Sequence, residues 1–219
     1  LEESAEALML RLLSKVSRID SSILMNNRLD ARGDEIIQNT ANMLRHHHNM
    51  MLDSDTNLTV ADVQGKLLEY KPDIAFIDHI GLLTGTDPRQ TEYQRISEIT
   101  RQLKVAAMKM GIVIVELCQI NRSGVKDNPG RFCDLQDLRG SGTIEQDANS
   151  AIFLENRKVD ENADLKGADA YISTAIKYAK NREGPTGVVS MRWQPQYHDW
   201  QPAPKADYEN IGEQVPWPE

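Results

Sequence analysis

Residues 74–78, Ile-Ala-Phe-Ile-Asp, put a carboxylate directly behind a short apolar run. Strands of open α/β sheets present ligands at their carboxyl ends, so Asp78 is placed to hold a divalent cation beside a polyphosphate. The same pattern also fits an acid that merely ends a buried strand. Four further clusters could do chemistry. Glu2, in Leu1-Glu2-Glu3-Ser4, precedes an amphipathic segment. A carboxylate there either complements the positive end of a helix or orients a water molecule. Gln119, in Cys118-Gln119-Ile120-Asn121-Arg122, follows a second apolar run and could sense a terminal phosphate or simply finish a strand. The stretch from Asp137 to Ala148 carries Arg139, and its Gly140 and Gly142 free the backbone to approach a phosphodiester. Ser141 and Thr143 add hydrogen-bond donors for phosphate, although a flexible loop before a helix start reads the same way. Finally, Lys180 and Arg182 precede the turn signal Gly184-Pro185. At a hairpin tip such cations either stay solvated or reach a neighbouring subunit's nucleotide as an arginine finger does.

The usual partner of an Asp78-type strand is the phosphate cradle G-x-x-x-x-G-K-[ST], and it does not occur in these 219 residues. Gly65-Lys66 comes nearest, but it has no glycine five residues earlier and continues with Leu67.

The elements that must position these residues follow from periodicity. Leu8, Leu12 and Val16, with Met9 and Leu13, predict a helix over 4–17. Further helices are expected over 31–45, over 59–70 with Thr59 as N-cap, and over 92–110, where Ile96, Ile99, Leu103, Ala106 and Met110 share a face. Strands are expected at 49–52, 73–78 and 112–118, then at 149–155, 170–179 and 186–193. Helix–strand alternation as far as 118 signals a largely parallel sheet, and the closing strands suggest antiparallel hairpins. From 194, prolines and acids dominate, so 194–219 reads as a solvated acidic tail after a domain at 1–193.

Bulk properties narrow the function classes. The chain has a net charge of −8 and a pI near 5.2, which argues against a surface built to wrap duplex DNA but not against contact through a few loops. No apolar run is long enough for a membrane span. Two cysteines, Cys118 and Cys133, make neither a disulfide framework nor a metal set, pointing to a reducing compartment. His46-His47-His48 lacks the further ligands of a tetrahedral site. Trp193 and Trp200 read as packing residues.

Taken in order, LEES, IAFIDHIGLL, ELCQINR, DLRGSGTIEQDAN and KNREGPTG resemble the successive motifs of the hexameric replicative DNA helicases, the DnaB type and the related phage primase-helicase type. The resemblance covers residues 1–193. It implies a RecA-like P-loop NTPase core, a mostly parallel sheet flanked by helices and closed by antiparallel strands. It also implies ATP, or another NTP, with Mg²⁺. By position, Glu2 matches the glutamate that activates water. Asp78 matches the acid that holds Mg²⁺, usually through water. Gln119 matches the γ-phosphate sensor. Arg122, Arg139 and Gly142 match the loops that grip single-stranded DNA, while Lys180 and Arg182 match the basic residues that complete a neighbour's ATP site. The implied partners are single-stranded DNA, a homo-hexameric ring and, through the tail, a primase, polymerase or helicase loader. The implied location is the cytoplasm of a bacterial or phage-infected cell.

Three departures stand out. Gly140 follows the loop arginine where most of the DnaB branch has an acid. Glu116 interrupts a strand that is usually apolar, and a buried carboxylate is costly unless paired. In the family, the phosphate loop and its strand lie immediately before the LEES segment, so this chain is expected to be a fragment that neither binds ATP tightly nor hydrolyses it alone. The alternatives are a non-catalytic helicase-like remnant or interaction module, or another RecA-fold ATPase such as a recombinase.

Overall fold

The computed structural model describes residues 3–46, 49–120, 132–138, 141–156 and 170–203. The chain forms two compact units.

The first unit comprises residues 55–153 and 177–186. Its helix α4 (Val60–Tyr70) starts at a capping box, in which the Thr59 hydroxyl accepts from the Asp62 N–H and the Asp62 carboxylate accepts from the Thr59 N–H. The Thr59 hydroxyl, donating to that carboxylate at 2.6 Å, and then the Thr59 N–H hold the Asp62 carboxyl below its usual range. Strand β1 (Ile74–Ile77) follows, then a 3-10 turn at Ile80–Leu82 and helix α5 (Glu92–Met110). A second capping box, Thr91 with Gln94, opens α5. Gly111 closes α5 in the left-handed region at φ 65°, a conformation that suits glycine, and β2 (Val113–Glu116) starts two residues later. Replacing Thr91 with alanine should cost about 1 kcal/mol, read as a lower urea midpoint at unchanged slope.

Strands β1 and β2 pair in parallel, Ile74 with Val113 through to Ile77 with Glu116. One face of this pair meets the helices. Val60, Val63 and Leu67 of α4, Ile96, Ile99 and Leu103 of α5, and Ile77, Ile80, Leu83 and Ile144 form one buried cluster, with Ala75 and Ile114 against it. The other face carries Ile74, Phe76, Val113 and Val115, all exposed, Phe76 to 71%. Helix α6 (Ser141–Asp147) packs on α5 and brings Ile144 into the core.

The second unit comprises residues 3–54, 154–176 and 187 onward. Helices α1 (Ala5–Ser17), α2 (Ser21–Met25) and α3 (Ala31–His46) open it, capped by Ser4 on α1 and Asp20 on α2. The buried Ser14 hydroxyl reaches the carbonyls of Ile19 (2.7 Å) and Gln196 (3.1 Å). Buried Asp199 pairs with Arg18 at 2.6 Å and Lys15 at 3.5 Å. Burial opposes ionisation there, but the Gln201 amide and the two cations outweigh it and hold the carboxyl below its usual range.

Strands β3 (Ser150–Asn156), β4 (Ile172–Asn181), β5 (Gly187–Gln194) and β6 (Asp199–Pro202) lie in that order in a four-stranded sheet. β5 and β6 are antiparallel, and Trp193 meets Trp200 across them with ring centroids 5.2 Å apart.

Two expectations need correcting. Residues 49–52 form no strand: Met50, Met51 and Leu52 are exposed and have no ladder partner among the described residues. The chain also does not become a solvated tail at 194. A 3-10 turn at Pro195–Tyr197 and strand β6 continue the fold, because Asp199 is neutralised by cations and Pro202 sits at the end of an edge strand, where its missing N–H is tolerated.

Candidate functional site

Asp78 and Gln119 leave the same end of the β1–β2 pair, and both are exposed. The Leu117 N–H donates to the Ile77 carbonyl (3.0 Å) and the Ile80 N–H to the Leu117 carbonyl (3.0 Å), so the chain segments that carry the two residues are bonded to each other beyond the strands themselves. The Asp78–His79 peptide is cis. The His79 Nδ1 accepts from the Gly81 N–H at 3.1 Å, and Arg95 donates to the carbonyls of Gly81 (3.0 Å) and Leu83 (2.5 Å). The turn behind Asp78 is thereby tied to α5.

A lone exposed carboxylate matches Mg²⁺, which keeps several waters and is usually held by one or two protein carboxylates plus substrate phosphates. Among the described residues there is no group of three His, Cys, Asp or Glu side chains able to hold an ion by themselves. Asp78 therefore suits a cation that arrives with a nucleotide.

Lys180 and Arg182 stand at the end of β4, and both contact α6, in place of the outward-pointing arrangement expected at a hairpin tip. Lys180 Nζ donates to the Glu145 carbonyl, and the Arg182 guanidinium donates to the Gln146 carbonyl. The Arg182 N–H donates to the Asn149 carbonyl at 3.0 Å. Cations suit this place, because the last carbonyls of a helix carry its negative dipole end. Desolvation first, then the adjacent Arg182 charge, holds the Lys180 ammonium below its usual range.

Gly142 lies in α6, where an added Cβ would stand 3.2 Å from the Tyr93 hydroxyl of α5. The glycine thus serves close packing of α6 on α5, a constraint separate from the expected approach to DNA. Ile120 bridges Leu138 in antiparallel fashion, and Asp134, which caps the 3-10 turn at Leu135–Asp137, pairs with Lys177 at 3.2 Å. These contacts fix the two ends of the segment between β2 and α6. Glu2, Arg122 and Arg139 lie outside the described residues.

The model of the DnaB-like helicase C-terminal domain matches residues 1–202. The chain belongs to that family. Among curated members, the replicative DNA helicase DnaB of Rickettsia prowazekii is 31% identical over 96% of this chain and 46% of its own length. The DnaB of Buchnera aphidicola subsp. Acyrthosiphon pisum is 29% identical over 87% of this chain and 42% of its own. The chain therefore spans under half the length of these two helicases. Among solved structures, one ATPase domain superposes with a TM-score of 0.80 at 23% identity, covering 93% of this chain and 72% of that one. A DnaB-like replicative helicase, solved in a study of its interactions with primase, gives 0.79 at 24% identity over 91% of this chain and 48% of its own. The fold shared with these structures is thus the RecA-like α/β architecture, with its parallel pair and C-terminal antiparallel strands.

Two residues that shape the site carry no motif in the sequence, Lys104 and Thr100, while Asp147 and Asn149 lie in the DLRGSGTIEQDAN segment without a role assigned there. Lys104 Nζ donates to the Asn149 side chain. One signal is available for them. Thr100 falls on the buried stripe of α5 and is only 3% exposed. Its hydroxyl oxygen is buried without a hydrogen-bond partner among the described residues, a polar group on an apolar stripe.

Proposed function

We propose that this chain is a motor segment of an ATP-driven replicative DNA helicase. The observation that carries the reading is Asp78 and Gln119 leaving one end of a parallel strand pair in a chain matched by the family over 1–202. Asp78 holds Mg²⁺ through water, and that ion supplies charge neutralisation on the β- and γ-phosphates of ATP or another NTP. Glu2 orients the attacking water. Gln119 accepts or donates at the γ-phosphate and so distinguishes nucleotide states. Lys180 and Arg182 act on the nucleotide of the next subunit, which requires head-to-tail contacts that close into a homo-hexameric ring. Arg122, Arg139 and the backbone at Gly142 track the phosphates of single-stranded DNA inside that ring, so local cations suffice despite the acidic total. The motor segment runs through β6, and the acidic stretch after Ala203 serves as a contact for a primase, polymerase or helicase loader. The site of action is the cytoplasm of a bacterial or phage-infected cell.

The test is ATP hydrolysis by the whole protein that carries this chain, with and without single-stranded DNA. Turnover that rises on adding the strand, and is lost with Asp78→Asn, is the expected result. Turnover indifferent to DNA would favour another RecA-fold ATPase, and none at all would favour the non-catalytic remnant.

A further inference from the structure

Asn181 stands between Lys180 and Arg182 and closes β4. The two cations reach the carbonyls of α6, whereas the Asn181 side chain folds back over the turn that follows. Its Oδ1 accepts from the Glu183 N–H at 3.4 Å, the two-residue step of an Asx turn. The same oxygen accepts from Ser150 Oγ of β3 at 3.4 Å. Its Nδ2 donates to the Pro185 carbonyl at 3.3 Å. The oxygen thus faces donors and the nitrogen an acceptor, which gives the amide one orientation. Asn149 and Ser150, the residue before β3 and its first, hold Arg182 and Asn181 in turn, since the Asn149 carbonyl accepts from the Arg182 N–H at 3.0 Å. Gly184 supplies a second, independent observation. Its backbone lies outside the left-handed region, so its conformation does not require glycine. A Cβ there would stand 2.7 Å from Asn181 Nδ2, well inside van der Waals contact. The glycine leaves room for the amide.

We propose that Asn181 is a positioning residue for Lys180 and Arg182: its amide ties the β4–β5 turn to β3 and so fixes the backbone from which the two cations project. The proposal rests on the role given above to those cations at a neighbour's nucleotide. A charge that stabilises a transition state must arrive in a set geometry. Lysine and arginine stems have many rotamers, so the aim of each cation begins with the backbone that carries it. Glu183 and Pro185 are exposed, so without the amide their N–H and carbonyl groups turn to water. The turn then stays folded while the directions of its cations spread. The loss falls on aim rather than on stability.

Steady-state turnover, equilibrium nucleotide binding and urea unfolding of the whole protein that carries this chain test the assignment. Asn181→Ala should lower kcat by about ten- to a hundredfold, the scale of a small misplacement at a reacting centre. Nucleotide affinity and the urea midpoint should stay unchanged. Asn181→Ser, whose hydroxyl can accept from the Glu183 N–H in the same kind of turn, should recover part of the loss. Gly184→Ala crowds the amide and should lower kcat in the parent, yet add nothing to Asn181→Ala, where the crowded group is gone. Additive losses in the double variant, or equal loss of kcat and affinity in Asn181→Ala, would overturn the proposal. If Arg182→Ala abolishes turnover while Asn181→Ala leaves kcat unchanged, the motor reading stands and the positioning role falls. If neither substitution lowers kcat, both fall.

Discussion

Arg182→Ala should reduce ATP turnover of the whole protein by about a thousandfold or more while leaving nucleotide affinity within about tenfold, since an arginine supplied to a γ-phosphate contributes ~10³–10⁵ in rate. The asymmetry comes from where the charge acts. A guanidinium brought in from a neighbouring subunit meets the negative charge that develops during transfer, whereas ground-state binding rests on the subunit that cradles the nucleotide. Arg182 has the reach for this, being exposed and held by carbonyl groups at the end of α6 rather than by a carboxylate in the contacts described. Single-turnover hydrolysis and equilibrium nucleotide binding, measured on the same preparation, separate the two effects. Equal loss of both would mean that Arg182 maintains the site as a whole and is not a finger.

The second large effect concerns stability. Glu116 is partly buried, and its carboxyl is raised from 4.5 to about 7, first by burial. A folded-state pKa above the unfolded value means that the native chain binds the extra proton. Stability should therefore be greatest below pH 4.5 as far as this group is concerned, decline as pH rises from there to about 7, and level off above it. A rise of that size corresponds to about 3 kcal/mol between the two limits. Glu116→Gln removes the decline, so the variant should gain about 3 kcal/mol on the unaltered chain between pH 5 and pH 8. Other groups slope the opposite way. His198 is held below its usual range by burial and by Arg11, so its neutral form favours folding as pH rises. Asp199 and Asp62 are held low and contribute stability that is lost only in acid. The difference between variant and parent cancels these contributions, and urea unfolding across pH 5–8 measures it. A constant difference across that range would show that Glu116 titrates near its ordinary value.

Much of the first unit was legible in the sequence because its cues are local. The α5 stripe follows from spacing, and the observed bounds Glu92–Met110 match the expected ones. The β1 and β2 runs could be read as strands, and with them the placement of Asp78 and Gln119 at strand ends, although the expected burial of their apolar residues holds for one face only. The failures share a physical cause: their determinants are distant in sequence. Met50, Met51 and Leu52 look like a strand but have no partner among the described residues, and apolar content alone does not make a ladder. β6 is hidden by Pro195 and Pro202 and by Asp199, whose neutralising cations are Lys15 on α1 and Arg18 just past its end. The turn beside Lys180 and Arg182, between β4 and β5, was legible, but the carbonyls these cations reach lie on α6, 35 and 36 residues earlier, where no local cue points. Glu116 stands out in the sequence as an anomaly, but its neighbours come into view only once α5, β2 and α6 are packed together.

The two units are interleaved along the chain: 3–54 belong to one, 55–153 to the other, 154–176 to the first again, 177–186 to the second and 187 onward to the first. A ribosome releases such a chain in an order that completes neither unit early. α5, β1 and β2 can assemble as soon as residue 116 has emerged, since their contacts are local. The end of α6 must wait for Lys180 and Arg182 to receive its donors. α1 must wait longer still, for Gln196 and Asp199 to satisfy Ser14 and Arg18. At synthesis rates of about 5–20 residues per second, that interval lasts on the order of ten seconds or more. The amino-terminal helices thus spend it with these polar contacts unmade, which is the period in which a nascent-chain chaperone would find them.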